Sequence, residues 1–441
     1  MNKPRSAQPA AHEKLRTKAP AAAERLQEDS SQALGVRISR RASDRLRAGH
    51  LWVYASEIES LHVEAGETPA LLPVADNRGL LLGTALYSPT SQIALRMVAR
   101  EAISQSAWLA LLEARLRASI ERRLPRLKAN SAETDSCRLC FSEADEIPGL
   151  ILDQYGPLIV LQRLVRGLYA AGVLEVCTRV LRELLNPATI LERPDPRARE
   201  LEGLSAPDHA PLWSANPAKP LTGTPFNLNG LAFRYDTDSG QKTGAFLDQS
   251  ENYLAAEKYA LRKTAGGRAL DVCTYQGGFA LHLARVCRQV TGIDASRASL
   301  QVAEQNLKSN GQQLQAAVDW VEGDAFQILR DWSDAGERFD VIVLDPPAFA
   351  KSHRAVEGAL RGYKELNLRA LKMLSPGGLL VTCSCSHHVG WTDLEAAVAS
   401  AAADASRRVR LLERRGASPD HPVVLNLPET EYLKCLILEV E

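Results

Sequence analysis

RALDVCTYQGGFALHLARVC (268–287) is the stretch from which the fold is read. A short strand-like run, Ala269 to Val272, apolar but for Asp271, enters a polar turn holding Gly277 and Gly278, and a helix-like apolar run follows. That is a strand, a tight turn and a helix in twenty residues. The same alternation continues downstream. QVTGIDA precedes SLQVAEQNLKSN, AVDWVEGDA precedes FQILRDW, FDVIVLDPP precedes a long helical span to LKML, and GGLLVTCSC precedes DLEAAVASAAADA. Such alternation predicts parallel strands joined by crossover helices, an open α/β sheet. VVLNLP and YLKCLILEV read as a closing pair of strands. In open α/β sheets ligands sit beyond the carboxyl ends of the strands, so the chemistry is sought there.

Four strand ends carry acids. In LDVCTYQGGF (270–279), the glycines permit close backbone approach to a ligand. The spacing is not G-x-G-x-x-G, so the pyrophosphate cradle of dinucleotide folds is absent and a ligand without phosphates suits the turn. Asp294 ends the second strand, and its two acceptor oxygens can take both hydroxyls of a ribose. Asp324, in VEGDAF, can accept from an amino group such as that of adenine. Asp345 ends VIVLDPPAF, where Pro346 and Pro347 stop the ladder and stiffen the turn. Singly, an Asp after a strand is more often a helix cap. In this order the four resemble the class I methyltransferases that bind S-adenosylmethionine.

LLVTCSCSHHVG (379–390) brings a thiol to the same rim. Cys383 and Cys385 share a face if the segment stays extended. Methylation of a pyrimidine at carbon 5 needs such a thiol. A thiolate adds to carbon 6, carbon 5 becomes nucleophilic and takes a methyl group, and loss of the carbon-5 proton expels the thiolate. Asp345 is positioned to hydrogen-bond N3 or the exocyclic amine of the base. A free thiol titrates near about 8.5, so Cys385 needs a local positive field or a helix N-terminus to lower its pKa. His387, His388 or a water could take the carbon-5 proton. The competing reading of Cys385 is a small buried hydrophobe.

Upstream, the chain divides into three parts. Residues 1–34 are rich in Ala, Glu, Gln, Lys and Pro and read as a mobile tail. Residues 35–104 hold short β-like runs punctuated by Gly, Pro, Asn and Asp, a small β-rich domain. Within it Arg37, Arg40, Arg41, Arg45 and Arg47 stand against one acid, Asp44. They read either as a solvated basic face or as a phosphate-contacting patch. Residues 105–226 begin with a helix, SAWLALLEARLRASIERRL, continue into strand-like runs and end in a Pro/Ala/Ser-rich linker. This is a middle α+β domain, and 227–441 is the α/β domain. Cys137 and Cys140 form a C-x-x-C with no second pair at a suitable spacing, so they read as core or incidental thiols and no metal is expected. With net charge +0, nucleic-acid contact must come from a local patch. No run is long and apolar enough to span a bilayer, and the first twenty residues lack the apolar core of an export signal. The eight scattered cysteines read as reduced thiols, with the cytoplasm as the expected compartment.

RLRAGHLWVYASEI, SEADEIPGLILDQYG, GQKTGAFLDQ (240–249), LDVCTYQGGFAL, DPPAFAKS, RGYKELN (361–367), VTCSCS and DHPVVLNLPETEYLK (420–434) together resemble the bacterial large-subunit ribosomal RNA cytosine carbon-5 methyltransferases with an N-terminal PUA domain. The resemblance implies a PUA-like RNA-binding domain, a middle α+β domain and a C-terminal Rossmann-like methyltransferase domain. It implies S-adenosylmethionine as cofactor and ribosomal RNA as partner, with a homodimer left open. Asp271, Thr274, Tyr275, Gly277, Gly278, Phe279, Asp294, Ala295, Asp324 and Ala325 would surround the cofactor, Asp345 and Cys385 would face the base, and the five arginines would meet RNA. The family's cysteine falls on Cys385, while Cys383 falls where an aromatic is usual. Ser250 stands where the family often has Arg. Two other readings compete: methylation of a base nitrogen such as that of guanine, which needs no thiol, and an RNA-binding assembly protein with a vestigial methyltransferase domain.

Overall fold

The computed structural model describes residues 35–63, 68–129, 133–205, 211–237, 244–264, 266–350 and 352–441. The expected tail, 1–34, and residues 240–243 of GQKTGAFLDQ lie outside them.

Residues 35–99 form one six-stranded sheet in the order Trp52–Tyr54, Ile93–Ala99, Leu81–Tyr87, Leu71–Ala75, Gly35–Ile38, Ile58–His62. Helix Arg40–Arg47 is capped by Ser39, whose hydroxyl accepts from the Ala42 N–H at 3.3 Å. The helix buries Ala42 and Leu46 among Val36, Ile38, Val53 and Leu95, which leaves its arginines toward the surface.

Helix Gln105–Ala129 starts the middle part and packs on a five-stranded sheet built from Ser136–Phe141, Leu150–Tyr155, Leu158–Arg163, Thr189–Glu192 and Trp213–Ser214. Trp108, Leu112, Leu116 and Ile120 recur at helical spacing and are all fully buried. Leu86 and Val98 of the first sheet join this core, as do Cys137 and Cys140, so these two thiols pack as small apolar groups. The hairpin of Gly223–Leu228 with Leu231–Asp236 then buries Phe226, Leu228, Leu231 and Phe233 against Tyr155 and Leu158 on one side and the C-terminal domain on the other. Its first strand straddles the 226/227 boundary expected from composition, because apolar alternation continues through the Pro-containing segment.

The C-terminal sheet has seven strands in the order Ala317–Glu322, Gln289–Asp294, Arg268–Val272, Phe339–Leu344, Leu374–Ser384, Lys434–Val440, Val409–Arg415. The first five are parallel and the last two antiparallel to their neighbours. Near-continuous apolar strands such as Phe339–Leu344 are buried on both faces, as a parallel sheet covered by helices requires. Strand Arg268–Val272 lies between the second and fourth strands in sequence, so the strand order reverses there and a crevice opens beyond its carboxyl end.

One expectation fails. Lys434–Val440 is a strand, but its partners are Leu374–Ser384 and Val409–Arg415. VVLNLP (423–428) forms a turn with a single bridge between Val424 and Leu427. The Leu427 N–H donates to the Val424 carbonyl at 2.8 Å, and the Thr430 hydroxyl accepts from Val424 N–H at 2.9 Å. Local side-chain bonding and Pro428 win over strand propensity there.

Candidate active site

The turn after Arg268–Val272 is wound tightly. Cys273 has φ 63° and Tyr275 φ 53°, left-handed values uncommon outside glycine, and Gly277 follows at φ 87°. Several bonds hold it. The Thr274 N–H donates to the Ile293 carbonyl at 2.9 Å, and its hydroxyl donates to Asp271 Oδ2 at 2.6 Å. The Tyr275 hydroxyl donates to the Gly244 carbonyl at 2.7 Å. Asp271 Oδ2 also accepts the Ala280 N–H at 2.9 Å. Its Oδ1 is buried with no hydrogen-bond partner among the described residues. Burial pushes the Asp271 carboxyl up to about 7, against the pull of these two hydrogen bonds.

The two glycines do more for packing than for ligand approach. A Cβ on Gly278 would lie 2.5 Å from the Tyr253 ring, and one on Gly277 would lie 3.1 Å from Trp320.

Asp294 is fixed by two backbone donors, Tyr275 N–H at 2.8 Å to Oδ2 and Ser296 N–H at 2.8 Å to Oδ1. A carboxylate oxygen has two lone pairs, so both remain able to accept from a ligand. Asp324 is the N-cap of helix Ala325–Ala335, accepting the Gln327 N–H at 2.9 Å. The capping role weighed against it in the sequence is therefore realised, and the same residue also lines the cleft.

Asp345 follows strand Phe339–Leu344, and its Oδ2 accepts from Gln249 Nε2 at 2.9 Å. Gln249 is held in turn: its Oε1 accepts from Asn252 Nδ2 at 2.6 Å, and Asn252 Oδ1 accepts from Arg415 Nε at 2.9 Å. A guanidinium only donates, so each amide in the chain is oriented and Gln249 must present N–H to Asp345. Sequence reading missed Gln249. The signal was present in the FLDQ of GQKTGAFLDQ, one residue before Ser250. Ser250 is buried, its hydroxyl paired with that of Ser418 at 2.7 Å, and it does not line the cleft.

Strand Leu374–Ser384 ends one residue before Cys385, so the two cysteines part company. Cys383 is fully buried and directly opposite Cys435 in the antiparallel pair. The Cys435 thiol beside it, together with burial, raises the Cys383 thiol well above its ordinary range. Cys385 is half-buried, with its Sγ 3.9 Å from the Pro346 carbonyl oxygen.

One cleft of about 420 Å³ is lined by Tyr275, Asp294, Ala295, Asp324, Ala325, Asp345 and Cys385, with Gln249 and Leu433 beside them. That volume suits a small-molecule site. A recess of about 30 Å³ behind it reaches Asp271, Thr274, Gly278 and Phe279. Residues from five strand ends thus meet in one place. Gly277 alone of the expected cofactor set lines neither space. His387 is exposed, with its ring 5.6 Å from that of Tyr432, and neither it nor His388 lines the cleft.

The arginines divide. Arg45 makes a two-pronged pair with Glu57 and donates to the Trp52 carbonyl at 3.0 Å, and Arg47 pairs with Asp76 at 2.5 Å. These two staple the N-terminal fold. Arg37, Arg40 and Arg41 are exposed, and the nearest carboxylate to Arg40 is Asp44 at 3.9 Å. Among the described residues no group of three His, Cys, Asp or Glu is placed to hold a metal, and no helix is long and apolar enough to cross a membrane.

The cleft fits S-adenosylmethionine on its own chemistry. The unpartnered, buried Asp271 Oδ1 is an acceptor awaiting an ammonium or hydroxyl, Asp294 offers acceptors to a diol, and the turn lacks a phosphate cradle.

Comparison with known proteins agrees. Residues 172–437 match the S-adenosylmethionine-dependent methyltransferase family, and residues 36–100 match a PUA-like domain. A ribosomal RNA large subunit methyltransferase I from Klebsiella pneumoniae is 36% identical over 397 residues, 87% of this chain and 93% of that protein. One of the same name from Pseudoalteromonas translucida is 34% identical over 399 residues, 90% of this chain and 96% of its own. Among solved structures, a SAM-dependent methyltransferase from Streptococcus mutans superposes with a TM-score of 0.75 at 18% identity, covering 92% of this chain and all (100%) of its own. A methyltransferase complexed with SAH matches with the same TM-score at 17% identity. The chain belongs to the S-adenosylmethionine-dependent methyltransferase family and carries a PUA-like domain at its N-terminal side.

Proposed function

We propose that this chain methylates carbon 5 of a cytosine in large-subunit ribosomal RNA, with Cys385 as the nucleophile. The observation that carries the reading is the half-buried Cys385 thiol in the same cleft as Asp345, Asp294 and Asp324. The substrate class comes from the relatives, which are named for ribosomal RNA of the large subunit. Asp294 accepts from the ribose of the cofactor, Asp324 from its adenine, and Asp271 from its amino-acid end. Bound S-adenosylmethionine supplies the electrophilic methyl group.

The chain's own residues supply the rest. The Cys385 thiolate adds to carbon 6 of the base. Asp345, held by Gln249, accepts from the exocyclic amine and keeps the ring in register with the thiol. After methylation the carbon-5 proton leaves to water, since His387 and His388 stand outside the cleft lining, and the thiolate is expelled. Arg37, Arg40 and Arg41 present an exposed basic face for the RNA backbone.

Nucleoside analysis tests the reading. Undermethylated ribosomal RNA, incubated with the protein and S-adenosylmethionine and then digested, is expected to yield 5-methylcytidine. A methylated guanosine instead would transfer the activity to a base nitrogen. No methylated nucleoside, together with no S-adenosylmethionine binding, would favour a vestigial domain.

A further inference from the structure

Lys434 is the first residue of strand Lys434–Val440 and pairs with Ser384, the residue before Cys385. It is only 2% exposed. Its Nζ donates to the Ser386 carbonyl at 2.8 Å, so the side chain is anchored to the residue after Cys385. Among the described residues no carboxylate forms an ion pair with it; Glu431 and Asp393 act on it only from a distance. A buried ammonium without an anionic partner is costly even when a carbonyl accepts from it, and such charges in folded proteins are normally compensated. Burial lowers the Lys434 pKa, and Cys385 is the foremost group opposing that drop.

The other groups around the thiol do not supply this compensation. From the end of Phe339–Leu344 comes Asp345, an anion that shares the cleft. From helix Val356–Met373 comes Tyr363, whose hydroxyl bonds Ser384 and Ser386 and whose pKa burial raises. From the C-terminal segment comes Tyr432, bonded to Asp248 and kept neutral by burial. Arg138, which faces Tyr432, is matched by Asp153 at 2.7 and 2.8 Å. His387 and His388 lie on the turn that follows the thiol.

We infer that the Lys434 ammonium is the counter-charge that stabilises the Cys385 thiolate, making Lys434 a positioning residue that acts through the nucleophile. The inference rests on Cys385 being the reactive thiol. The thiol proton goes to solvent, leaving a thiolate and an ammonium that offset each other's burial. This answers the need for a positive field that the sequence raised. The helix nearest in sequence after the thiol starts only at Trp391, six residues on.

Iodoacetamide labelling of the full-length protein, without RNA, tests it. The rate at Cys385 is followed by peptide mass spectrometry across pH 5.5–10 in wild type, Lys434→Gln and Lys434→Arg. Wild-type Cys385 is expected to titrate below the ordinary thiol value. A nearby opposite charge moves an acid's midpoint by about 1–3 pH units, so Lys434→Gln should raise that of Cys385 by about one unit or more. Labelling at pH 7 then slows about tenfold or more, and Lys434→Arg restores it. An unchanged midpoint in Lys434→Gln overturns the inference. So does a wild-type midpoint at or above about 8.5, a result that holds even if the variants fail to fold. Labelling reports the state of the thiol and not its use. A shifted midpoint with no 5-methylcytidine would leave Lys434 as the counter-charge and remove the cytosine reading.

Discussion

Cys383 and Cys385 share a residue type and lie two positions apart, yet the strand ends between them and their fates differ. Cys383 packs against Cys435 in the core, so Cys383→Ala should keep methyl transfer and lower unfolding stability by about 1 kcal/mol, read by chemical denaturation. Gln249 is the neighbour that fixes Asp345. Gln249→Leu removes a hydrogen bond to a carboxylate, an effect of about 1.5–3 kcal/mol, so kcat/KM should fall roughly 10- to 100-fold while S-adenosylmethionine still binds. Asp271 carries a pH signature. Its folded value, about 7, lies above that of an unfolded aspartate, so its contribution to stability is fully present below about 4 and is lost as pH rises toward 7. Denaturation of the cofactor-free protein across pH 4–8 should show that decline, and Asp271→Asn should flatten it. That Asp294, Asp324, Asp345 and Cys385 would meet in one cleft was legible because they recur in order at successive strand ends, where one such Asp alone reads as a cap. Gln249 was not, because its partner is 96 residues away in sequence.

At the scale of elements, the strand–turn–helix after Arg268 works through its glycines. Gly278→Ala would press a methyl group into the Tyr253 ring, and overpacking of this kind costs about 1–3 kcal/mol. Calorimetry should show a lowered Tm, and cofactor affinity should fall with it because the Tyr275 N–H of that turn is one of the two donors that fix Asp294. A simultaneous Tyr253→Leu exchange, which frees the space, should recover part of the loss. The parallel strands and their helices were legible from periodicity, since most of the strands are apolar runs bounded by turn residues; Ala317–Glu322, at the sheet edge, carries Asp319 and Glu322 and was legible only from its place in the alternation. The C-terminal pairing was not. VVLNLP has strand-forming residues, but Thr430 and Pro428 close it into a turn, a tertiary and local effect that propensity does not carry. The true edge strand, VRLLERR, is amphipathic and charged, a pattern that equally suits a helix.

Across the whole molecule, the parts are joined by residues that pack into a neighbour's core: Leu86 and Val98 link the first sheet to the middle core, and Tyr155 and Leu158 link the middle sheet to the methyltransferase core. Arg123 reaches across as well, pairing with Asp145 and donating to the Asp420 carbonyl at 2.8 Å. The PUA-like domain is thereby fixed to the catalytic unit, not tethered beside it. Its arginines were legible as a cluster but not by role, because the carboxylates that claim two of them, Glu57 and Asp76, come from other parts of the domain. Arg40→Ala with Arg41→Ala should weaken RNA binding and reduce the log–log salt slope by about 1.5 to 2, without a change in stability. Arg45→Ala should instead destabilise the domain, because it strips Glu57 of its partner. The central claim is covalent attack on cytosine by one thiol among eight cysteines. Its most direct measurement is a trap: protein, S-adenosylmethionine and ribosomal RNA carrying 5-fluorocytosine, resolved under denaturing conditions. A protein–RNA adduct formed by wild type and Cys383→Ala and absent from Cys385→Ala is the predicted result. An adduct that survives Cys385→Ala, or methyl transfer that persists in that variant with no adduct at all, would contradict it.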